Sequence, residues 1–150
     1  LEGDLAFDPI VVMVQKEVAQ RIQAAPGTKD YGLLTLAVRY HADVETIAKV
    51  PKTVFVPPPD VESAIIKLGP RPPCVQVDRE VLFAVIRAAF SQRRKTLKNT
   101  LQGLCQDWGV TDQQFGQILE ELNLPLKVRG ESLSLEQFGE LTQKLRASKE

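Results

Sequence analysis

The spacing of apolar residues changes character once along this chain. Ile10 to Val14, IVVMV, is a continuous apolar run rich in β-branched residues, the pattern of a strand buried on both faces. QKEVAQRIQAA follows at 15–25 and puts Val18, Ala19 and Ile22 on one helical face before PGTKDYG ends the helix. Tyr31 to His41 predicts a second helix, with Leu33, Leu36, Ala37 and Tyr40 in register, and ADVETIAKV at 42–50 alternates as a strand. PKTVFVPPPD at 51–60 is a proline-held loop. VESAIIKL at 61–68 is the next strand, closed by a turn at Gly69 and Pro70.

Beyond Asp78 every apolar stripe has helical period. REVLFAVIRAAF at 79–90 aligns Leu82, Ile86, Ala89 and Phe90, and the following segment aligns Leu97, Leu101, Leu104, Cys105 and Trp108 before Gly109 stops it. Thr111 with Gln114 and Ser134 with Gln137 have capping-box spacing and open helices at 112–122 and 135–146. Four helices with short connections predict a small bundle. The chain is thus expected to hold an α/β part at 1–69, a proline-rich linker at 70–77 and an all-α helical domain at 78–150. A buried strand needs a neighbour on each side, and little chain precedes Ile10, so the α/β part is expected to be a fragment of a larger sheet.

Composition narrows the class. With 150 residues, 43% hydrophobic and 25% charged, the chain is that of an ordinary globular protein, expected in the cytoplasm: no run suffices to span a bilayer and LEGDLAFDP has no apolar signal core. Two cysteines far apart and one histidine make no metal-ligand pattern, so Cys74 and Cys105 are read as reduced thiols, Cys105 on a core face.

Overall charge is balanced, 19 basic against 19 acidic residues, and hides one local excess. RAAFSQRRKTLKNTL carries Arg87, Arg93, Arg94, Lys95 and Lys98, and no acid lies between Glu80 and Asp107. Such a run can be a merely solvated face. Here the apolar stripe from Leu97 to Trp108 turns Lys95 and Lys98 outward. If Ser91 caps the helix, Arg93 and Arg94 stand in its first turn, where the dipole disfavours cations and favours a bound phosphate. The second candidate is Phe55, inside VFVPPPD. It either folds back on the core or serves as a rigid platform for an unpaired base, a contact worth about 1–3 kcal/mol. An aromatic platform and a basic segment in one chain point to RNA or single-stranded nucleic acid.

MVQKEVAQRI at 13–22, KDYG at 29–32, VFVPPPDVESAIIKL at 54–68, AAFSQRRKTLKNTL at 88–101 and ESLSLEQF at 131–138 together resemble the ribosomal RNA adenine dimethyltransferases. The related erythromycin-resistance methyltransferases share the Phe and proline loop, but QRRKTL is more similar to the housekeeping enzymes. The resemblance implies that residues 1–69 are the C-terminal part of a Rossmann-like methyltransferase domain and that 78–150 are its small helical rRNA-binding domain. It implies S-adenosylmethionine as cofactor and direct methyl transfer to the exocyclic amines of two adjacent adenosines in small-subunit rRNA. By position, Phe55 would stack on the flipped adenine, and Arg87, Arg93, Arg94, Lys95 and Lys98 would contact rRNA.

The family's glycine-rich cofactor turn and its Asn-Leu/Ile-Pro-Tyr/Phe motif are both expected upstream of Leu1. NLPL at 123–126 mimics the second motif without its aromatic and is read as a helix-ending turn. The fragment alone is therefore expected to be inactive, and its truncated sheet to favour self-association. The alternative reading is a non-catalytic RNA-binding module that keeps the platform and the basic segment.

Overall fold

The computed structural model describes residues 8–148, which divide into two compact units, Leu1–Pro73 and Cys74–Glu150. In the first unit, β1 (Ile10–Gln15) leads directly into α1 (Lys16–Ile22), then α2 (Leu33–His41) and β2 (Ala42–Val50). A 3₁₀ turn at Lys52–Val54 and a loop precede β3 (Ser63–Pro70). The sheet order is β1-β3-β2, and β3 is antiparallel to both neighbours. β1 and β2 therefore run the same way, joined by a helical crossover, with β3 inserted between them. Ala19, Ile22, Val38, Ala42, Ala64, Ile66 and Leu68 form the core beneath the helices.

Three expectations need correction in this unit. β1 is not buried on both faces: among the described residues it pairs with β3 alone, and Val11 and Met13 are 55% and 53% exposed while Ile10, Val12 and Val14 pack on the core. An unbroken apolar run hides which face is inward, since strand side chains alternate whatever their chemistry. The buried face of α2 is rotated from the expected one, with Thr35, Leu36, Val38 and Tyr40 inside and Leu33 exposed. Pro70 is no turn residue. It ends β3 opposite Ala42, where the missing amide costs nothing at a strand end.

The second unit is built of helices. Asp78 caps α3 (Arg79–Ala89), its carboxylate accepting from the Val81 amide at 3.0 Å. The expected single basic helix is instead a turn followed by two short helices, α4 (Leu97–Thr100) and α5 (Gln102–Asp107), meeting at Leu101. Ser91 does not cap it. Its hydroxyl donates backward to the Ala88 carbonyl at 2.7 Å and closes α3, while the Leu97 amide donates to the Val128 carbonyl at 2.8 Å. That tertiary bond takes an amide from any continuous helix through 91–97.

The two capping boxes form as the spacing predicts. Thr111 and Gln114 exchange bonds of 3.2 and 2.8 Å at the start of α6 (Asp112–Glu121), and Ser134 and Gln137 bonds of 3.2 and 2.9 Å at the start of α7 (Leu135–Ala147). Leu82, Ile86, Leu97, Leu101, Leu119, Phe138, Leu141 and Leu145 fill the centre, so Leu97, Leu101 and Cys105 of the basic segment's stripe are buried even though its helix is broken, while Leu104 and Trp108 are half-buried.

Candidate nucleic-acid interface

Phe55 closes the 3₁₀ turn of the first unit, its amide donating to the Lys52 carbonyl at 3.4 Å. The ring is half-buried, neither folded fully into the core nor free in solvent. Val54 and Val56 on either side are 62% and 96% exposed, and Pro57, Pro58 and Pro59 follow, each with a φ fixed by its ring. A half-buried ring carried by a stiff loop meets a partner with less entropy cost of ordering than one on a flexible loop.

The five basic residues lie in the second unit, and all are exposed. Arg87 stands in the last turn of α3, where the helix dipole favours a cation. Arg93, Arg94 and Lys95 occupy the turn between α3 and α4, closed by the Lys95 amide on the Gln92 carbonyl at 3.0 Å. They are not in the first turn of a helix, so the dipole argument for them falls away. Lys98 is on α4.

The acid-free stretch in the sequence is partly answered in space. Arg93 pairs with Glu131 at 3.2 Å and Lys98 with Asp112 at 3.0 Å, both at half-exposed cations. Arg87, Arg94 and Lys95 have no ion pair with a described residue. Exposed pairs of this kind contribute about 0–1 kcal/mol, little enough for a phosphate to displace the carboxylate.

Sequence reasoning missed Lys127 and Arg129. Val128 is buried and its carbonyl holds the Leu97 amide, which brings this segment against the start of α4. Arg129 has extended backbone, and both flanking cations are exposed, as the two-residue period of extended chain requires when the middle residue points inward. The K-x-R spacing in LPLKVRG was the available signal.

NLPL proves to be a helix end. Asn123 has φ 55°, the Asn123 amide donates to Glu120 at 3.0 Å and the Leu124 amide to Leu119 at 2.8 Å, the paired bonds of a left-handed C-terminal cap on α6. Gly109, at φ 70°, ends α5 in the same way. Neither Cys74 nor Cys105 is in a disulfide; the first is exposed and the second buried.

The family model for ribosomal RNA adenine dimethylase matches residues 3–140. The chain belongs to that family. It is 48% identical over 147 residues to the ribosomal RNA small subunit methyltransferase A of Bacillus cytotoxicus, and equally to that of Bacillus thuringiensis; each match covers 97% of this chain and 50% of the relative. The chain thus spans about half the length of these relatives. Among solved structures, a dimethyladenosine transferase from Plasmodium falciparum superposes with a TM-score of 0.71 at 26% identity, covering 93% of this chain and 57% of that one. The 23S rRNA methyltransferase ErmE shares the fold at a TM-score of 0.62 and 21% identity, over 92% of this chain and 55% of its own.

S-adenosylmethionine is the cofactor of the family. The residues present here do not fit it: β1 passes into α1 through Gln15 and Lys16 with no glycine, and no described strand is followed by the glycine-rich turn a nucleotide-type cofactor requires. No helix among the described residues is long and apolar enough to cross a membrane.

Proposed function

We propose that this chain is the C-terminal, RNA-recognising portion of a cytoplasmic S-adenosylmethionine-dependent rRNA adenine dimethyltransferase. Its substrate is a hairpin of small-subunit rRNA with two adjacent adenosines. Residues 1–69 belong to the Rossmann-like catalytic domain, 70–77 are a linker and 78–150 form the rRNA-binding domain. The observation that carries the reading is the family match along residues 3–140, which includes the Phe55 loop and the basic segment.

The chemistry this portion serves is methylation of a weak nucleophile. An adenine amine has its lone pair delocalised into the ring, so rate depends on holding the base still in the reactive orientation, and a base inside a duplex must first be extruded. Phe55 supplies the surface on which the extruded adenine stacks. Arg87, Arg93, Arg94, Lys95 and Lys98, extended by Lys127 and Arg129, hold the RNA backbone. With no cofactor turn of its own, this portion is inactive by itself.

Phe55→Ala in the full-length enzyme is the test. Losing a stacking contact of about 1–3 kcal/mol should lower kcat/KM for the rRNA substrate roughly 5- to 150-fold. The melting midpoint should move little, because the ring is only half-buried. Undiminished methylation, or a variant that unfolds, would return Phe55 to a packing role.

A further inference from the structure

The 3₁₀ turn that presents Phe55 begins with a lysine. In such a turn side chains three residues apart eclipse one another, so residues i and i+3 share one side of the backbone. Lys52 and Phe55 have this spacing, and the bond from the Phe55 amide to the Lys52 carbonyl closes the turn between them. Lys52 is exposed and has no ion pair with a described residue. Of the acids in the same β2–β3 connection, Glu62 pairs with Lys16 at 3.4 Å and Asp60 has no ion pair with a described residue.

We infer that Lys52 is a positioning residue which grips a phosphate flanking the adenine that stacks on Phe55. The inference rests on the platform reading of Phe55 given above and adds to it a cation at the other end of the hydrogen bond that closes the same turn. A nucleotide stacked by its base alone can still rotate in the plane of the ring. A second contact to its own backbone phosphate removes that rotation and fixes where the exocyclic amine points. The lysine suits the task because a compact ammonium on a flexible stem tracks a phosphate without demanding one approach geometry.

The test uses this 150-residue chain and a short single-stranded RNA with 2-aminopurine in place of one of two adjacent adenines, so that fluorescence reports base stacking. Affinity is measured across a salt series for the parent, Lys52→Gln, Lys52→Arg and Phe55→Leu. Lys52→Gln should reduce the slope of log K against log salt by about 0.7, so that its affinity deficit shrinks roughly 2.6-fold between 50 and 200 mM salt. The fluorescence change at saturation should remain, and Lys52→Arg should restore the slope. Neutral methylphosphonate linkages on both sides of the 2-aminopurine should make the parent and Lys52→Gln plots parallel, which a purely structural role for Lys52 would not do.

If Phe55→Leu abolishes the fluorescence change while Lys52→Gln leaves the slope untouched, the platform stands and the inference about Lys52 is overturned. If the slope change of Lys52→Gln survives the neutral linkages, Lys52 meets some other phosphate and the inference is likewise overturned. If Phe55→Leu leaves the fluorescence change intact, the platform reading itself fails, and the assignment of Lys52 to that base goes with it.

Discussion

Cys105 shows how burial decides the chemistry of a single side chain. It sits 8% exposed on the inner face of α5, where desolvation, helped by the charge of Asp112, pushes its thiol up to about 11 from an ordinary 9.0. The neutral thiol is therefore favoured by folding. Its contribution to stability is complete below the unfolded value near 9 and is lost as pH rises toward 11, where the unfolded chain gives up the proton first. At pH 8 an alkylating reagent should label Cys74 rapidly and Cys105 only after denaturation; equal labelling of both in the native state would contradict the burial. That Cys105 lies inside was legible from its place in the Leu97 to Trp108 stripe. The half-burial of Phe55 was not legible, because it depends on how a proline loop folds against its own unit, which no periodicity records.

At the scale of elements, the sequence was informative wherever a signal is local. The capping boxes opening α6 and α7 bond as their spacing requires, and Gly109 and Asn123 end helices where left-handed residues are tolerated. It misled where a distant partner decides. The basic segment has helical period throughout, yet Leu97 gives its amide to Val128, and the helix begins four residues after Arg93. Charge followed the same rule: the stretch without acids meets Glu131 and Asp112 from other elements.

A long-range contact of the same kind fixes α7. A Cβ placed on Gly139 would lie 2.6 Å from Cγ1 and 2.9 Å from Cβ of Val75, and a β-branched side chain has little freedom to move away. Gly139→Ala should thus destabilise the helical unit by about 1–3 kcal/mol, despite the better helix propensity of alanine. Chemical denaturation showing an unchanged or raised midpoint would mean that Val75 does not pack there.

The whole chain presents two kinds of surface that a stable, solitary globule rarely shows together. β1 carries exposed Val11 and Met13 and, among the described residues, pairs with a strand on one side only. Free edges with apolar faces recruit further strands, so the 150-residue chain should self-associate at micromolar concentration, read as a mass above 16.7 kDa in sedimentation. A compact monomer with a cooperative melt would sink that expectation. The other surface is cationic, and on it rests the central claim that this half of the family's chain recognises RNA. The most direct test is the affinity for a small-subunit rRNA hairpin across a salt series, for the parent and for the variant with Arg93, Arg94, Lys95 and Lys98 all replaced by Gln. Each lost phosphate contact lowers the slope of log K against log salt by about 0.7–0.9, so the quadruple variant should lose roughly three units. Its stability should change little, because the exposed pairs to Glu131 and Asp112 are worth about 0–1 kcal/mol each. Parallel salt plots from two equally folded proteins would contradict the account, since these cations would then never meet the RNA backbone.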